Sequence, residues 1–289
     1  MGGGKMLMTY PYTVHFAATE GNCNIAYIDE GRGERTLLFI HGLANYSLCW
    51  KRNIDVLKSH YRCIAIDLPG NGLSDRHPHH FSMKFFAETV ARFIETLELK
   101  NVTLVGHSMG GQIALTTCLK YPELIKDMVL CAPAGFEKFT AMDKAMYYSS
   151  IKLIDKITSD EQSLRKVLEH SFFIRRADEN QMMDDLLGFQ KSYQHGYYKK
   201  MIEGCIKGMI EEPVLSSLIL IAQPILVLFG ENDGLIPNRI LHQTTTIAIA
   251  EAAIKQLPNA TLQMFPGCGH FVQWEACEAV NESIMKFLG

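Results

Sequence analysis

The 289 residues are 47% hydrophobic and 20% charged, with a formal net charge of −3, a balance suited to a packed core and far from that of disordered chains. No cluster of Lys and Arg is broad enough for sequence-independent attraction to phosphate backbones, which argues against nucleic acid as a partner. The longest apolar run, 218–230, is broken by Gln223 and Pro224, falls short of the roughly 18 residues of a membrane span, and reads as a buried strand.

Met1 to Tyr10 lacks the apolar core and cleavage site of a secretory signal, and Met6 stands where a myristoylation signal carries Ser or Thr. The segment is set aside as a tail that runs into the domain at about residue 9. The eight cysteines show no CxxC spacing, and several lie within apolar runs, where a free thiol behaves as a small hydrophobe. Reduced thiols in a cytoplasm are the expectation.

Short aliphatic and β-branched runs predict strands at Asn24–Ile28, Leu37–Ile40, Cys63–Ile66, Val102–Val105 and Asp127–Cys131. Between the third and fourth, Phe85, Val90, Phe93, Ile94 and Leu97 recur at helical spacing, predicting a helix with one apolar face. A second helix is expected over Ser108–Lys120, closing at Tyr121-Pro122. The rhythm then changes to a strand-free, helix-forming stretch. Strands resume at Ile225–Phe229 and Thr261–Phe265, separated by a helix and followed by a last helix ending near Phe287. Alternation of strands and helices implies an α/β fold with a mostly parallel, doubly wound sheet. Its core is expected over residues 9–135 and 216–289, with a helical cap, or lid, inserted at 136–215.

Gly106-His107-Ser108-Met109-Gly110 falls between a predicted strand and a predicted helix. The GxSxG pattern alone is weak, but this placement suits a tight turn that exposes a serine, with glycines leaving room for strand and helix to approach. Ser108 is therefore the candidate nucleophile. A serine hydroxyl needs a base to take its proton and a carboxylate to orient that base. Asp233 lies just beyond the strand Ile225–Phe229, with Glu231 as a rival carboxylate, and His270 lies just beyond Thr261–Phe265. After Leu37–Ile40 the chain turns at His41-Gly42-Leu43, where the Leu43 amide could join that of Met109 in holding a developing oxyanion. His41 itself is expected to be structural.

Together with His41-Gly42, the run Asp67 to Ser74, Gly230-Glu231-Asn232-Asp233 and Gly269-His270, the Ser108 turn resembles the α/β-hydrolase superfamily. The resemblance spans about Asn24 to the end, apart from the lid. It implies a chain order of Ser, Asp, His for the catalytic residues, a helical cap over the pocket, and activities of the carboxylesterase, carbon-carbon bond hydrolase or cofactor-free perhydrolase kind. Haloalkane dehalogenases and epoxide hydrolases of the superfamily carry Asp as nucleophile, so Ser108 argues against those two activities. Asn71 stands where many relatives have His, in a loop that is structural in them.

The expectation is a small-molecule acyl substrate, cleaved through a Ser108 acyl-enzyme with neither metal nor organic cofactor. Acyl transfer to another acceptor, or a receptor that keeps the same pocket, are the alternatives. Three weaker signals accompany it. His77, His79 and His80 have no acidic or Cys partner at metal-ligand spacing. Trp50, His107 and Trp274 are candidate pocket walls, although both tryptophans suit core packing equally well. The lid is rich in Met and aromatics, including Met142, Met146, Tyr147, Tyr148, Phe172, Phe173, Phe189, Tyr193 and Tyr197, which suit either helix packing or an adaptable apolar pocket.

Overall fold

A computed structural model describes residues 10–19, 23–76, 81–149, 161–173, 182–188, 195–239 and 241–289. Eight strands form one sheet in the order β1-β2-β4-β3-β5-β6-β7-β8. They are β1 (Val14–Thr19), β2 (Cys23–Glu30), β3 (Thr36–Ile40), β4 (Arg62–Ile66), β5 (Val102–His107), β6 (Ile125–Cys131), β7 (Ile225–Gly230) and β8 (Ala260–Phe265). The hairpin β1-β2 is antiparallel and joins β4 antiparallel, whereas β4, β3, β5, β6, β7 and β8 are parallel to one another.

The uninterrupted apolar runs of the inner strands follow from this arrangement. Every residue of β3, β5 and β7 is buried, as parallel strands covered by helices on both faces must be. The covering helices fall into groups. Helices α1 (Lys51–Leu57), α9 (Val272–Glu275) and α10 (Cys277–Leu288) pack together, as do α2 (Met83–Thr96) and α3 (Met109–Lys120), while α8 (Thr246–Ile254) lies against β7 and β8. Caps mark where two of them start: Ser82 Oγ accepts from Phe85 N at 3.0 Å and Thr245 Oγ1 from Ala248 N at 3.2 Å.

All seven strands predicted from sequence are present, each longer by one to three residues. The additional strand, β1, is an edge strand whose inward face is only Ala17 and Thr19, so its apolar alternation is faint. Tyr10, at the end of the segment expected to be a tail, is instead tied into the fold. Its hydroxyl donates to Asp67 Oδ2 at 2.6 Å, and its ring meets that of Tyr46 edge-on at 5.9 Å. The run 218–230 is also not one strand. Leu215–Leu220 is a 3-10 helix with Ile219 and Leu220 exposed, and pairing starts at Ile225 after Pro224, which has no N–H to donate to a ladder.

Between β6 and β7 the described residues hold helices and no strand: α4 (141–149), α5 (Glu161–Glu169), α6 (182–188) and α7 (His195–Glu211). Polar bonds tie them to the sheet's carboxyl end. Tyr46 Oη donates to Asp185 Oδ2 at 3.0 Å, and Gln112 Nε2 donates to the carbonyls of Met209 and Glu212, each at 3.0 Å. Among the described residues no helix is long and apolar enough to cross a membrane. His77, His79, His80, Phe189 and Tyr193 lie outside the described residues.

The chain leaves β3 to one side for β4 and later returns on the other side as β5. Such a reversal opens a crevice at the carboxyl ends of the two strands, where ligands of open α/β sheets bind. The register pairs Ile40 with Gly106, which brings the residues just past each strand, 41–43 and 107–109, side by side.

Candidate active site

Ser108 forms the turn between β5 and α3 at φ 53° and ψ −118°, a backbone conformation that costs a side-chain-bearing residue about 1–3 kcal/mol. Neighbouring contacts hold it there. Its amide donates to Cys131 O at 3.0 Å, and its carbonyl accepts from Gly111 N and Ala134 N, each at 2.9 Å. The flanking glycines are required by space. A Cβ on Gly106 would lie 2.5 Å from Gly110 O, and one on Gly110 would lie 2.2 Å from Ile40 O. Strand, helix and turn therefore meet closer than any side chain permits.

The loop after β3 reaches the same point. A Cβ on Gly42 would stand 3.1 Å from Ser108 Cβ and 3.0 Å from His107 Nδ1. His41 fixes this loop. Its Nε2 accepts from Leu68 N at 2.9 Å, so Nδ1 carries the proton and donates to Gly42 O at 2.8 Å. Complete burial holds its pKa below the usual imidazole value, consistent with this neutral tautomer. The amides of Leu43 and Met109 donate to no other described residue, leaving two free N–H groups flanking Ser108.

Asp233 and His270 meet as their strand ends suggest. His270 Nδ1 lies 2.8 Å from Asp233 Oδ2 and both are buried, while Glu231 is exposed. Asp233 Oδ1 accepts from Leu235 N and Ile236 N at 2.8 and 3.0 Å, so both carboxylate oxygens are engaged. Ser108 and His270 line one cavity of about 380 Å³, a volume suited to a small ligand. The Ser108 hydroxyl makes no hydrogen bond to a described residue, an openness common before substrate binds.

Of the three candidate walls only His107 lines the cavity. Its Nε2 donates to His270 O at 3.0 Å, Nδ1 has no partner, and burial holds its pKa well below the usual value. Trp50 is instead core. It is fully buried with its ring 5.2 Å from that of Phe39 and 6.4 Å from that of His107. Trp274 faces away, its ring under the Arg52 guanidinium at 4.8 Å. The helical insertion contributes Tyr147 to the cavity, whereas Met142, Met146 and Phe173 are exposed. Phe172 stacks on Phe271 at 4.7 Å.

The Asp67–Ser74 run supports this end of the sheet. Asp67 Oδ1 accepts from Ser47 N at 2.8 Å and Oδ2 from Leu73 N at 2.9 Å, and Ser74 Oγ donates to Asp67 O at 2.5 Å. Gly72, at φ 55°, leaves no room for a Cβ, which would sit 2.0 Å from Asp67 Oδ2. Asn71 is buried with Nδ2 donating to Pro69 O at 3.3 Å.

Two carboxylates escaped the reading of the sequence. Glu275, just past His270, accepts from Gly269 N at 2.9 Å and from Phe173 N at 2.8 Å. With His270 N donating to Ser171 O at 2.8 Å, it straps segment 171–173 to the His270 loop. Glu137, six residues beyond β6, lines the cavity and bonds His242. Its place past the carboxyl end of a central strand is the signal that could have found it.

A family model described as alpha/beta hydrolase fold matches residues 35–276. The dihydrolipoyllysine-residue acetyltransferase component of the acetoin cleaving system of Cupriavidus necator is 29% identical, over 95% of this chain and 68% of that protein. A 2-hydroxy-6-oxononadienedioate/2-hydroxy-6-oxononatrienedioate hydrolase of Burkholderia vietnamiensis is 28% identical, over 91% of this chain and 90% of its own. The crystal structure of a probable hydrolytic enzyme from Pseudomonas aeruginosa superposes with a TM-score of 0.83 at 24% identity, covering 97% of this chain and 96% of the other.

Proposed function

The chain belongs to the α/β-hydrolase family, and we propose that it is a serine hydrolase that cleaves a small or medium carboxylic ester through a Ser108 acyl-enzyme. The observation that carries this is the 2.8 Å bond between buried Asp233 and His270, made at the wall of the cavity that Ser108 also lines. His270 takes the Ser108 proton as Oγ attacks the ester carbonyl. Asp233 holds the proton on Nδ1, leaving Nε2 free as the base, and stabilises the imidazolium that forms. The amides of Leu43 and Met109 donate to the oxyanion of the tetrahedral intermediate. That intermediate collapses to the acyl-enzyme as the alcohol leaves with the proton from His270. Water then gives its proton to His270, attacks the acyl carbon and releases the acid, restoring the Ser108 hydroxyl.

Residues 136–215 act as a cap, with Tyr147, Leu186 and Ile202 forming the apolar roof of the cavity. The cavity's charge separates esters from the substrates of some relatives. The Burkholderia relative is named for a dioate, whereas the described lining here holds no Lys or Arg and one carboxylate, Glu137. A substrate without anionic groups therefore fits better. The eight free cysteines, seven of them buried, suit a reducing cytoplasm.

Acyl transfer to an acceptor other than water is the second reading, favoured by the likeness to the acetyltransferase component. One experiment separates the two: turnover of p-nitrophenyl esters of increasing chain length, with and without hydrogen peroxide or an alcohol as competing acceptor, and with Ser108→Ala as control. Hydrolysis that is lost in the variant supports the ester hydrolase. Transfer outpacing hydrolysis supports the second reading, and full activity in Ser108→Ala contradicts both.

A further inference from the structure

The cavity wall opposite in character to its apolar roof is a carboxylate with one oxygen committed and one not. Glu137 is 9% exposed. Its Oε1 accepts from Asn238 N at 2.8 Å and from His242 Nδ1 at 2.7 Å. Its Oε2 accepts from no described residue, yet it is not sealed from the cavity that the side chain lines. Behind the pair, His242 Nε2 stands 3.9 Å from Asp143 Oδ2 in α4. The Glu137 side chain is therefore held from one side by the loop after β7 and cannot turn away without stranding a backbone amide and an imidazole N–H.

A carboxylate so placed, in a lining otherwise mostly apolar and without Lys or Arg, has a specific chemical preference. It repels anions, gains nothing from an alkyl chain, and accepts a hydrogen bond from a donor that enters the cavity. Its charge is already shared with His242 Nδ1 through Oε1, so a neutral hydroxyl satisfies Oε2 at a lower desolvation cost than a full cation.

Resting on the ester-hydrolase reading above, we propose that Glu137 sets substrate choice: its Oε2 accepts a hydrogen bond from a hydroxyl on the acyl portion of the ester, away from the scissile carbonyl. The substrates would then be esters of hydroxylated acids rather than of plain fatty acids or diacids. A site built around a hydrogen bond discriminates against an analogue lacking the donor, because its own buried group is left unpaired.

The test compares kcat/KM for p-nitrophenyl esters of acids four to ten carbons long, each with a terminal hydroxyl or with the corresponding methyl ether. The ether removes the donor and adds one methyl group, a change of bulk that the Glu137→Gln comparison below controls for. At a matched chain length the hydroxyl ester is expected to be favoured by about tenfold or more. Glu137→Gln offers an N–H to the cavity that an ether oxygen accepts as readily as a hydroxyl does, so the preference should fall to within about threefold. Equal turnover of hydroxyl and ether at every length overturns the assignment using the unmodified protein alone, whether or not the variant folds. So does a preference that survives in a folded Glu137→Gln. Absence of turnover for every ester instead overturns the hydrolase reading, and the assignment falls with it.

Discussion

Asp233 presents one oxygen to His270 Nδ1 at 2.8 Å and the other to the amides of Leu235 and Ile236 at 2.8 and 3.0 Å. The two amides leave the carboxylate a single orientation, and that orientation decides which imidazole nitrogen carries the proton. In Asp233→Asn the same amides would keep the oxygen and turn the NH2 toward His270, favouring the tautomer with Nε2 protonated. Such a His270 cannot act as base for Ser108, and kcat on an ester is expected to fall by about 10⁴. Glu231→Gln, at an exposed position, should change it less than about twofold. Steady-state kinetics on both variants checks the assignment.

Gly42 has a different kind of constraint, since its backbone dihedral is ordinary and only space excludes a side chain. A methyl group there would press on Ser108 Cβ at 3.1 Å and on His107 Nδ1 at 3.0 Å, displacing the Leu43 amide from the nucleophile. Gly42→Ala is expected to lower kcat roughly 10- to 100-fold while substrate KM moves little, because the lost contact forms only with the oxyanion. Equal losses in binding and turnover would point to general distortion of the cavity.

Glu275 satisfies two backbone amides with two oxygens, which no isosteric neutral residue can copy. Glu275→Ala is expected to cost about 2–4 kcal/mol in urea unfolding. Glu275→Gln should fall between it and the native protein, because its single carbonyl oxygen can serve only one of the two amides. If both variants unfold at the native midpoint, the strap contributes nothing to stability.

His41 and His107 are buried and hold pKa values below the usual imidazole value, burial being the largest cause in each. In the unfolded chain both return to about 6.5. Below that pH the unfolded state binds protons that the folded state refuses, so stability is present in full above about pH 6.5 and is lost as the pH falls. Each residue adds a slope of up to about 1.4 kcal/mol per pH unit. Urea midpoints measured from pH 7.5 down to pH 5 should show this decline, and it should be shallower in His107→Asn.

The fold and the backbone positions of the candidate site residues are legible in the sequence because both are written locally. β3, β5 and β7 are fully buried and mostly apolar, and Ser108 and Asp233 follow β5 and β7 as His270 follows the half-exposed β8, each within a few residues. What escaped depends on partners distant in sequence. Tyr10 joins the fold through Asp67 and Tyr46, Glu275 holds Phe173 across 102 positions, and Glu137 meets His242 across 105. Trp50 and Trp274 sit near site residues in sequence, but a helix start turns each of them into the core or onto Arg52. Sequence proximity to a strand end thus identifies backbone position well and side-chain direction poorly.

Ser108 is the proposed nucleophile, and a covalent acyl-enzyme is the most direct consequence of that role. Acid-quenching the protein within the first turnovers of a p-nitrophenyl ester, followed by peptide mass mapping, should find the mass of the acyl group added to the peptide that contains Ser108. The same treatment of Ser108→Ala should leave every peptide unmodified and release no p-nitrophenol above background. Acylation at another residue, or undiminished p-nitrophenol release by Ser108→Ala, would contradict the account.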